Sequence, residues 1–307
     1  LAPFLAMREL AVTARAVDPS LLAKLAEDGA SVTAADLTGS EPGRRLLAGF
    51  DRFMDRFGYL SANGSDFSEV PWIENPRLIW KTVARLAAAP ETPAANAAEV
   101  HREEVLDLVR SGLGPLERRV FDRLHLSTVR FIGWRERVSL LMSECSYLMR
   151  RCALALGRKL VDRGVFERPD DVFYLYADEL REVVSGTGEA GAATATAARA
   201  AAAAAAKVGE RRAELVADAA IDPPETVCGD GRSGSARRPP STAEGLTSLP
   251  GIGGSAGVVR GRARIVRDPA CDGRPLTRED VLVVPFTDIG WTPVLAEAGG
   301  IVAETGG

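Results

Sequence analysis

The sequence predicts a multidomain chain in which a mainly α-helical region is followed by a partial α/β region. Through residues 1–220, apolar side chains recur at steps of three and four, which is the spacing of one helix face. Residues 221–245 are dense in Pro, Gly, Ser and Arg, a composition typical of a flexible linker. In residues 246–307 the pattern changes to short apolar and alternating runs, which indicate strands.

Composition excludes several classes of protein. The 307 residues carry 42 acidic against 38 basic side chains, a net charge of −4, so a broad basic surface for nucleic acid is absent. Four Cys form no disulfide framework and favour a reducing compartment. Because no long uncharged apolar run and no leader pattern is present, we expect a cytoplasmic protein without a membrane partner.

The first half of the helical region is predicted to contain several helices and one ordered loop. One helix face before Gly58 consists of Leu46, Leu47, Phe50, Phe53, Met54 and Phe57. Residues 59–76 are rich in Ser, Asn, Asp and Pro and predict an ordered loop with Phe67 and Trp72 as apolar anchors. Helices are expected again at about 76–88 and 97–126.

The clearest helix is predicted over about 129–163. Its apolar residues step by three or four and resemble a seam that packs on other helices: Trp134, Val138, Leu141, Cys145, Leu148, Cys152, Leu156 and Leu160. The two cysteines of this seam lie two turns apart, roughly 10 Å between Cα atoms, which is too far for a disulfide. We therefore expect them to be buried thiols.

After Gly164, the sequence predicts a turn and then a short buried segment at residues 172–175. Of the sixteen residues 191–206, twelve are Ala, which favours a helix but offers few large side chains to bury. We expect a weakly docked, exposed helix or a flexible insertion there.

The last part of the chain is expected to form strands at 257–266, 281–284 and 301–303, with a short helix at 292–298. In the first of these, arginines alternate with small and apolar residues, the pattern of a half-buried strand.

Histidines are few. Neither His101 nor His125 has a second ligand at metal spacing, and no HExxH or CxxC pattern occurs, so the sequence predicts no metal site. A surface or helix-capping position is the expected place of both.

The last 59 residues, 249–307, resemble the opening half of the mobile phosphohistidine domain of phosphoenolpyruvate-utilising enzymes. The similarity lies in the order and spacing of five short motifs. They are Gly254-Ser255-Ala256-Gly257, Gly261-Arg262-Ala263-Arg264-Ile265-Val266, Glu279-Asp280-Val281-Leu282-Val283, Thr287-Asp288-Ile289-Gly290-Trp291-Thr292-Pro293 and Gly299-Gly300-Ile301-Val302-Ala303-Glu304-Thr305-Gly306-Gly307. The family usually has Pro at the position of Ile289 and Gly at that of Glu279.

Upstream, residues 45–180 are more loosely similar to the middle region of synthase-like and rifampicin-type members, while residues 1–44 and 184–245 carry little of the similarity. The matching segments are Phe57-Gly58, Asp66-Phe67, Pro71-Trp72, Glu74-Asn75-Pro76, Gly157-Arg158-Lys159-Leu160 and Asp170-Asp171-Val172-Phe173-Tyr174-Leu175. Where the family often has Gly-His-Arg, this sequence has Gly58-Tyr59-Leu60.

The resemblance implies an ATP-dependent phosphotransferase in which a swivelling domain carries a phosphohistidine to a small-molecule acceptor. A Ser or Thr and then the catalytic His would follow just after Gly307. ATP and Mg²⁺ would be bound outside this chain, by an ATP-binding domain of the same parent protein. The residues implied to shape the site are Thr287, Asp288, Trp291, Thr292, Glu304, Thr305, Gly306 and Gly307. An alternative for these residues stays open: Trp291 packs the domain, and Asp288 caps a turn.

Two further alternatives concern the whole chain. The start at Leu1 and the end at Gly-Gly predict a fragment made of a substrate-binding helical region and a truncated mobile domain. We expect this fragment to be inactive, because the catalytic His would lie beyond residue 307. Within the family, a synthase type and a rifampicin phosphotransferase type are both possible, and the apolar middle region favours an acceptor other than pyruvate. Outside it, a non-catalytic helical binding or regulatory protein with a degenerate mobile domain is the alternative.

Overall fold

A computed structural model describes residues 2–30, 32–89, 94–186, 195–218, 248, 251–255, 257–269, 276–295 and 297–304. The helices are α1 Ala2–Ala14, α2 Pro19–Glu27, α3 Ala34–Thr38, α4 Glu41–Phe57, α5 Arg77–Ala88, α6 Ala94–Ser111, α7 Pro115–Asp162, α8 Ala177–Gly186, α9 Ala195–Asp218 and α10 Thr292–Leu295. Two 3₁₀ turns span Pro169–Tyr174 and Ile289–Trp291. The strands are β1 Arg262–Ile265, β2 Asp280–Val284 and β3 Gly300–Ala303.

The chain folds as two compact units, and the first of them is made of two stretches that are separated along the sequence. Residues 1–150 and 259–307 form the first unit, and residues 151–258 form the second. The predicted combination of a long helical region and a small strand-containing region is confirmed in the described residues. The linker expected at 221–245 lies outside the described residues, so the predicted domain limits stay predictions.

Helices α1 to α5 build the main core of the first unit. The predicted apolar face of α4 is confirmed, since five of its six residues are buried and Leu47 packs against them. The ring of Phe50 stacks on that of Trp80 in α5, with centroids 3.6 Å apart. At the start of α4, the Ser40 side chain accepts a hydrogen bond from the amide of Gly43. This cap and Gly58, which follows the last residue of the helix, set its two ends.

The long helix α7 departs from the prediction in two ways. The sequence predicts one helix to about 126 and another from about 129, but this separation near residue 127 is wrong. The chain instead turns at 112–114 and is then helical without interruption to Asp162. The expected burial of the seam is also wrong for its first part: Trp134, Val138 and Leu141 are about half exposed or more. Both cysteines of the seam are exposed rather than buried. Periodicity establishes which side chains share a helix face, but not whether another element covers that face.

The second unit is built on the end of α7, the first 3₁₀ turn, α8 and α9. Its buried core consists of Leu160, Val165, Phe166, Val172, Leu175, Val183, Ala204 and Val208. The Ala-rich run is helical from Ala195 onward, as part of α9. Weak docking is wrong for the turn at its end, where Ala204 and the following Val208 are buried. Two ion pairs also join α8 to α9. Glu179 pairs with Lys207 at 2.9 Å and with Arg211 at 2.6 Å.

The three strands form a parallel sheet in the order β1-β2-β3. Leu282 and Val284 of the central strand are buried, together with Trp291, Val294 and Ala298 from the crossover to β3. The half-buried pattern expected for the first strand is wrong, since Ile265 is 74% exposed. This strand is paired on one side only among the described residues, and little packs over its faces. The predicted helix at 292–298 is shorter and follows a 3₁₀ turn.

Candidate functional site

The carboxyl edge of the sheet brings the described site residues to one place. Parallel strands end at the same edge, and ligands of open α/β sheets typically bind beyond those ends. The segment after β2 contains Thr287 and Asp288, and β3 is followed directly by Glu304, whose amide donates to the carbonyl of Val284 at 3.0 Å. Residues 305–307 lie outside the described part of the chain.

Asp288 makes two hydrogen bonds with different consequences. Its Oδ1 accepts from the amide of Ile289 at 2.6 Å, which caps the following 3₁₀ turn. Its Oδ2 accepts from the amide of Gly64 at 2.8 Å, in the loop between α4 and α5. The capping role left open from the sequence is therefore present, and the same carboxylate also joins the strand region to the helical region.

The backbone of Gly290 lies directly against this loop. A Cβ atom built on Gly290 would lie 1.6 Å from the carbonyl oxygen of Ser61, a distance no real side chain allows. Next to it, the side chain of Ile289 packs on the helical core together with Leu140. Glycine is required here by the close approach of two backbones.

A second contact joins the two regions at α5. Nη1 of Arg85 donates to the Glu297 carboxylate at 3.0 Å, and the two side chains are 23% and 9% exposed. Burial raises the pKa of the Glu297 carboxyl, and the Arg85 guanidinium opposes that rise. Two turns before Arg85 on α5, Leu78 packs against the buried cluster around Trp291.

The remaining predicted site residues lie at or near the same edge. Trp291 is fully buried and meets Phe286 edge to face, with centroids 6.1 Å apart. The hydroxyl of Thr292 donates to the carbonyl of Ile289, within the turn, and Thr287 is half-buried. The burial of Trp291 favours the alternative in which this residue packs the domain.

Beside this contact, a small polar cleft opens between the 59–71 segment and α7. Hydroxyl side chains dominate its lining, which consists of Tyr59, Ser61, Asp66, Phe67, Glu69, Pro71, Ser143, Ser146, Tyr147 and Arg150. One member of this lining contacts the strand region directly, and a second contacts Gly64, the residue whose amide binds Asp288. Ser61 supplies the carbonyl that faces Gly290, and the Ser143 hydroxyl lies against Gly64. The cleft and the docked carboxyl edge are thus immediate neighbours.

Two titratable side chains of the cleft are perturbed. Burial raises the pKa of the Glu69 carboxyl, and the nearby carboxylates of Asp66 and Asp268 add to the rise. Burial also raises the pKa of the Tyr59 hydroxyl, with a further contribution from Glu144. A carboxyl whose pKa is raised is suited to exchange a proton with a bound hydroxyl group.

Arg150 fixes the loop that forms one wall of the cleft. It is 6% exposed and donates from Nη2 and Nε to the Glu74 carboxylate at 2.8 and 3.0 Å. Its Nη1 donates to the Ser68 carbonyl at 2.7 Å. The loop is also bonded to itself, since the amide of Trp72 donates to the carbonyl of Leu60 at 2.8 Å. Of the two predicted anchors, Trp72 is buried, whereas Phe67 is exposed.

Sequence reasoning missed Gly64, Arg85, Glu297 and Arg150. Their partners are separated along the chain by 76 to 224 residues, so no local spacing reveals them. Of the two histidines, His125 is half-buried and its ring stacks on Phe121, with centroids 6.0 Å apart.

The comparisons with known proteins agree on one family. Residues 2–136 match the family described as the rifampicin phosphotransferase fourth domain. A rifampicin phosphotransferase of Bacillus cereus is 26% identical over 276 residues, which cover 86% of this chain and 30% of that protein. One from Streptomyces sviceus is 28% identical over 84% of this chain and 29% of that protein. These similarities support a place for the chain in the phosphoenolpyruvate-utilising enzyme family.

The chain is also similar to an uncharacterized protein of Mycobacterium tuberculosis strain H37Rv. It is 30% identical over 311 aligned positions, 98% of this chain and 30% of that protein. The chain therefore spans about 30% of the length of these relatives. The match from residue 2 shows that the first 44 residues share the family resemblance, although short motifs do not reveal it there.

The cofactors implied by the phosphoenolpyruvate-utilising family do not fit the residues at hand. In the ranges that the structure describes, no three His, Cys, Asp or Glu side chains are grouped so that they could hold a metal ion. The lining of the polar cleft contains one basic side chain, Arg150, which is already engaged by Glu74 and the loop carbonyls. We assign neither ATP nor Mg²⁺ to this cleft. Among the described helices, none is long and apolar enough to cross a membrane.

Proposed function

We propose that this chain forms the acceptor side of an ATP-dependent phosphotransferase that passes a phosphoryl group through a phosphohistidine to a small molecule. The supporting observation is the docking of the sheet's carboxyl edge beside the polar cleft. By the family resemblance, a Ser or Thr and then the catalytic His would follow Gly307, a few residues after Glu304 at this edge. A phosphohistidine there would face the wall formed by Ser61 and Gly64.

The acceptor we propose is a hydroxyl compound of the rifamycin class, because several relatives are named rifampicin phosphotransferase. In the transfer, the P–N bond to the imidazole breaks as the P–O bond to the acceptor forms, and the hydroxyl proton must leave. Glu69 is suited to take this proton, since it lies at the cleft, stays accessible to solvent and has a raised pKa. The other ring nitrogen of the phosphohistidine must carry a proton for the imidazole to depart neutral, ready for another phosphoryl group.

The phosphoryl donor belongs outside these residues. ATP and Mg²⁺ would be bound by another domain of the same parent protein, and the swivelling segment would move between the two sites. The 307-residue chain alone is then expected to be inactive, because it contains no histidine at the expected position.

Phosphorylation of the full-length parent protein tests the proposal. Incubation with labelled ATP and Mg²⁺ should give an acid-labile, base-stable label, and addition of rifampicin should remove it and yield a product heavier by one phosphoryl group. A parent protein that forms no acid-labile label would refute the proposal. The 307-residue chain serves as the control; acid-labile phosphate on His101 or His125 would contradict its expected inactivity.

A non-catalytic binding role is favoured by one observation, the apolar surface of α6 and α7. Large apolar side chains exposed there include Leu108, Leu116, Leu124, Phe131 and Ile132. Exposed patches of this kind often mark binding surfaces. The two functions are separated by the codons that follow Gly307 in the parent gene. A Ser-His or Thr-His pair supports the enzyme, and any other pair supports the binding protein.

A further inference from the structure

Among the described residues, two contacts between the strand region and the helical region are well separated along both. The first is the loop after β2, where Asp288 binds the amide of Gly64 and Gly290 lies on the carbonyl of Ser61. The second is the turn before β3, where Glu297 pairs with Arg85 of α5. Two separated contacts leave only rotation about the line that joins them, whereas a single contact would leave every rotation free. The packing of Leu78 and Ile289 restricts the remaining rotation.

We propose that these contacts form a latch that holds the phosphohistidine-bearing edge in its delivery position, with Asp288, Gly290 and Glu297 as positioning residues. The inference rests on the proposed function for what is delivered, but the latch itself is a statement about contacts in this chain. Each part has a separate physical role. The carboxylate of Asp288 aligns the loop, glycine permits close approach, and the ion pair sets the rotation.

The Asp288 contact is specific to a carboxylate in this position. One oxygen is occupied by the amide of Ile289 at 2.6 Å, which orients the side chain, and the other is thereby presented to the amide of Gly64 at 2.8 Å. A hydrogen bond to a charged acceptor is roughly twice as strong as one between neutral groups. An isosteric Asn keeps one acceptor oxygen and cannot serve both amides.

The Gly290 contact is steric and is the sharpest to test. A methyl group at this position would lie 1.6 Å from the Ser61 carbonyl oxygen, so the docked arrangement excludes every other residue. Within the strand region the backbone of Gly290 has no positive φ angle, so alanine is conformationally allowed there. The variant Gly290→Ala should therefore block docking while leaving the sheet intact.

Amide hydrogen exchange on the 307-residue chain tests the latch without any activity. In Gly290→Ala, the Gly64 amide should lose its protection. The amides of Ile73, bonded to Gly58 in the helical region, and Val266, bonded to Val283 in the sheet, should keep theirs. The matched control is Gly253→Ala, where a Cβ meets nothing within 4 Å, and all three amides should stay protected. Continued protection of Gly64 in Gly290→Ala would overturn the latch.

A second variant pair covers the case in which Gly290→Ala also exposes Val266 and so unfolds the sheet. The single substitutions Glu297→Arg and Arg85→Glu each place like charges together and should deprotect Gly64. The double substitution reverses the pair and should restore protection. Failure of the double variant to restore it would refute the ion pair as part of the latch.

In the full-length parent, the latch makes a second prediction that separates it from the proposed function. Gly290→Ala should form phosphohistidine from ATP at the normal rate, yet transfer to the acceptor should fall by about tenfold to a hundredfold, as expected when reacting groups lose alignment. Normal transfer by this variant would overturn the latch and leave the proposed function intact. A wild-type parent without phosphohistidine would refute the proposed function, and the exchange experiment would then decide the latch alone.

Discussion

Removing the Arg150 guanidinium should loosen the wall of the cleft and destabilise the first unit. In Arg150→Met the aliphatic volume is largely kept, but the donors to Glu74 and to the Ser68 carbonyl are lost. Hydrogen bonds that involve a charged group contribute about 1.5–3 kcal/mol each. The Glu74 side chain is 34% exposed and can regain water, so we take the low end of this range for its share.

Together these losses give an expected destabilisation of about 3 kcal/mol, because bonds in one network do not add fully. For a unit of this size, each kcal/mol lost from the free energy of unfolding lowers the melting temperature by about 2–4 °C. The variant should therefore melt about 6–12 °C below the unsubstituted 307-residue chain. Urea unfolding followed by tryptophan fluorescence measures the free energy directly, since Trp72 is buried at the end of the same loop.

The control for this prediction is Arg137→Met, an exposed arginine on the same helix, which should change stability by no more than about 0.5 kcal/mol. A double-mutant cycle with Glu74→Gln then isolates the pair. The reasoning is refuted if Arg150→Met costs less than about 1 kcal/mol, or if its coupling to Glu74 is below about 0.5 kcal/mol.

Three further predictions concern the second unit and α7. The Arg211 and Lys207 side chains lower the pKa of the Glu179 carboxyl from 4.5 to about 2. The ionised carboxylate therefore stabilises the fold fully above pH 4.5, and this stabilisation is lost as the pH falls towards 2. In Glu179→Gln, the urea midpoint of unfolding should depend less on pH over this range. Gly157→Ala should lower the free energy of unfolding by about 1–3 kcal/mol, because its Cβ would lie 2.0 Å from a backbone carbonyl oxygen. Gly209→Ala lies in open space within α9 and should raise that free energy by up to about 1 kcal/mol in the same assay. The exposed Cys145 thiol should react with a thiol reagent in the native chain as fast as in urea, and a strongly slowed reaction would contradict its exposure.

Local pattern predicts the elements well where local forces decide them. The face of α4 is confirmed because a helix with six apolar residues on one side must bury that side, and the chain supplies α5 to cover it. The predicted break in α7 fails for an equally local reason. Ser127 and Thr128 favour caps and turns, but here their hydroxyls donate to carbonyls one turn back, at 2.8 and 2.9 Å, and the helix continues.

The contacts of the candidate site that the sequence does not reveal are those between residues far apart along the chain. Asp288 is identified through a family resemblance, and its cap to Ile289 is a local contact that any loop could contain. Its bond to Gly64 joins residues 224 positions apart, and nothing in either segment predicts the other. The same holds for Gly290, which belongs to a recognisable motif, although the physical need for glycine comes from the Ser61 carbonyl.

The composition of the proposed latch suits a contact that must form and release repeatedly. A buried ion pair contributes little net stability, because removal of both charges from water offsets most of their attraction, yet it strongly disfavours any position in which one charge is left unpaired. When Arg85 and Glu297 separate together, both regain water, so release is inexpensive. When the segment docks out of register, the Glu297 carboxyl is buried without its partner and the complex is destabilised. Charge pairing and the glycine contact therefore specify the docked position while leaving the affinity low, which is the combination that a carrier moving between two sites requires.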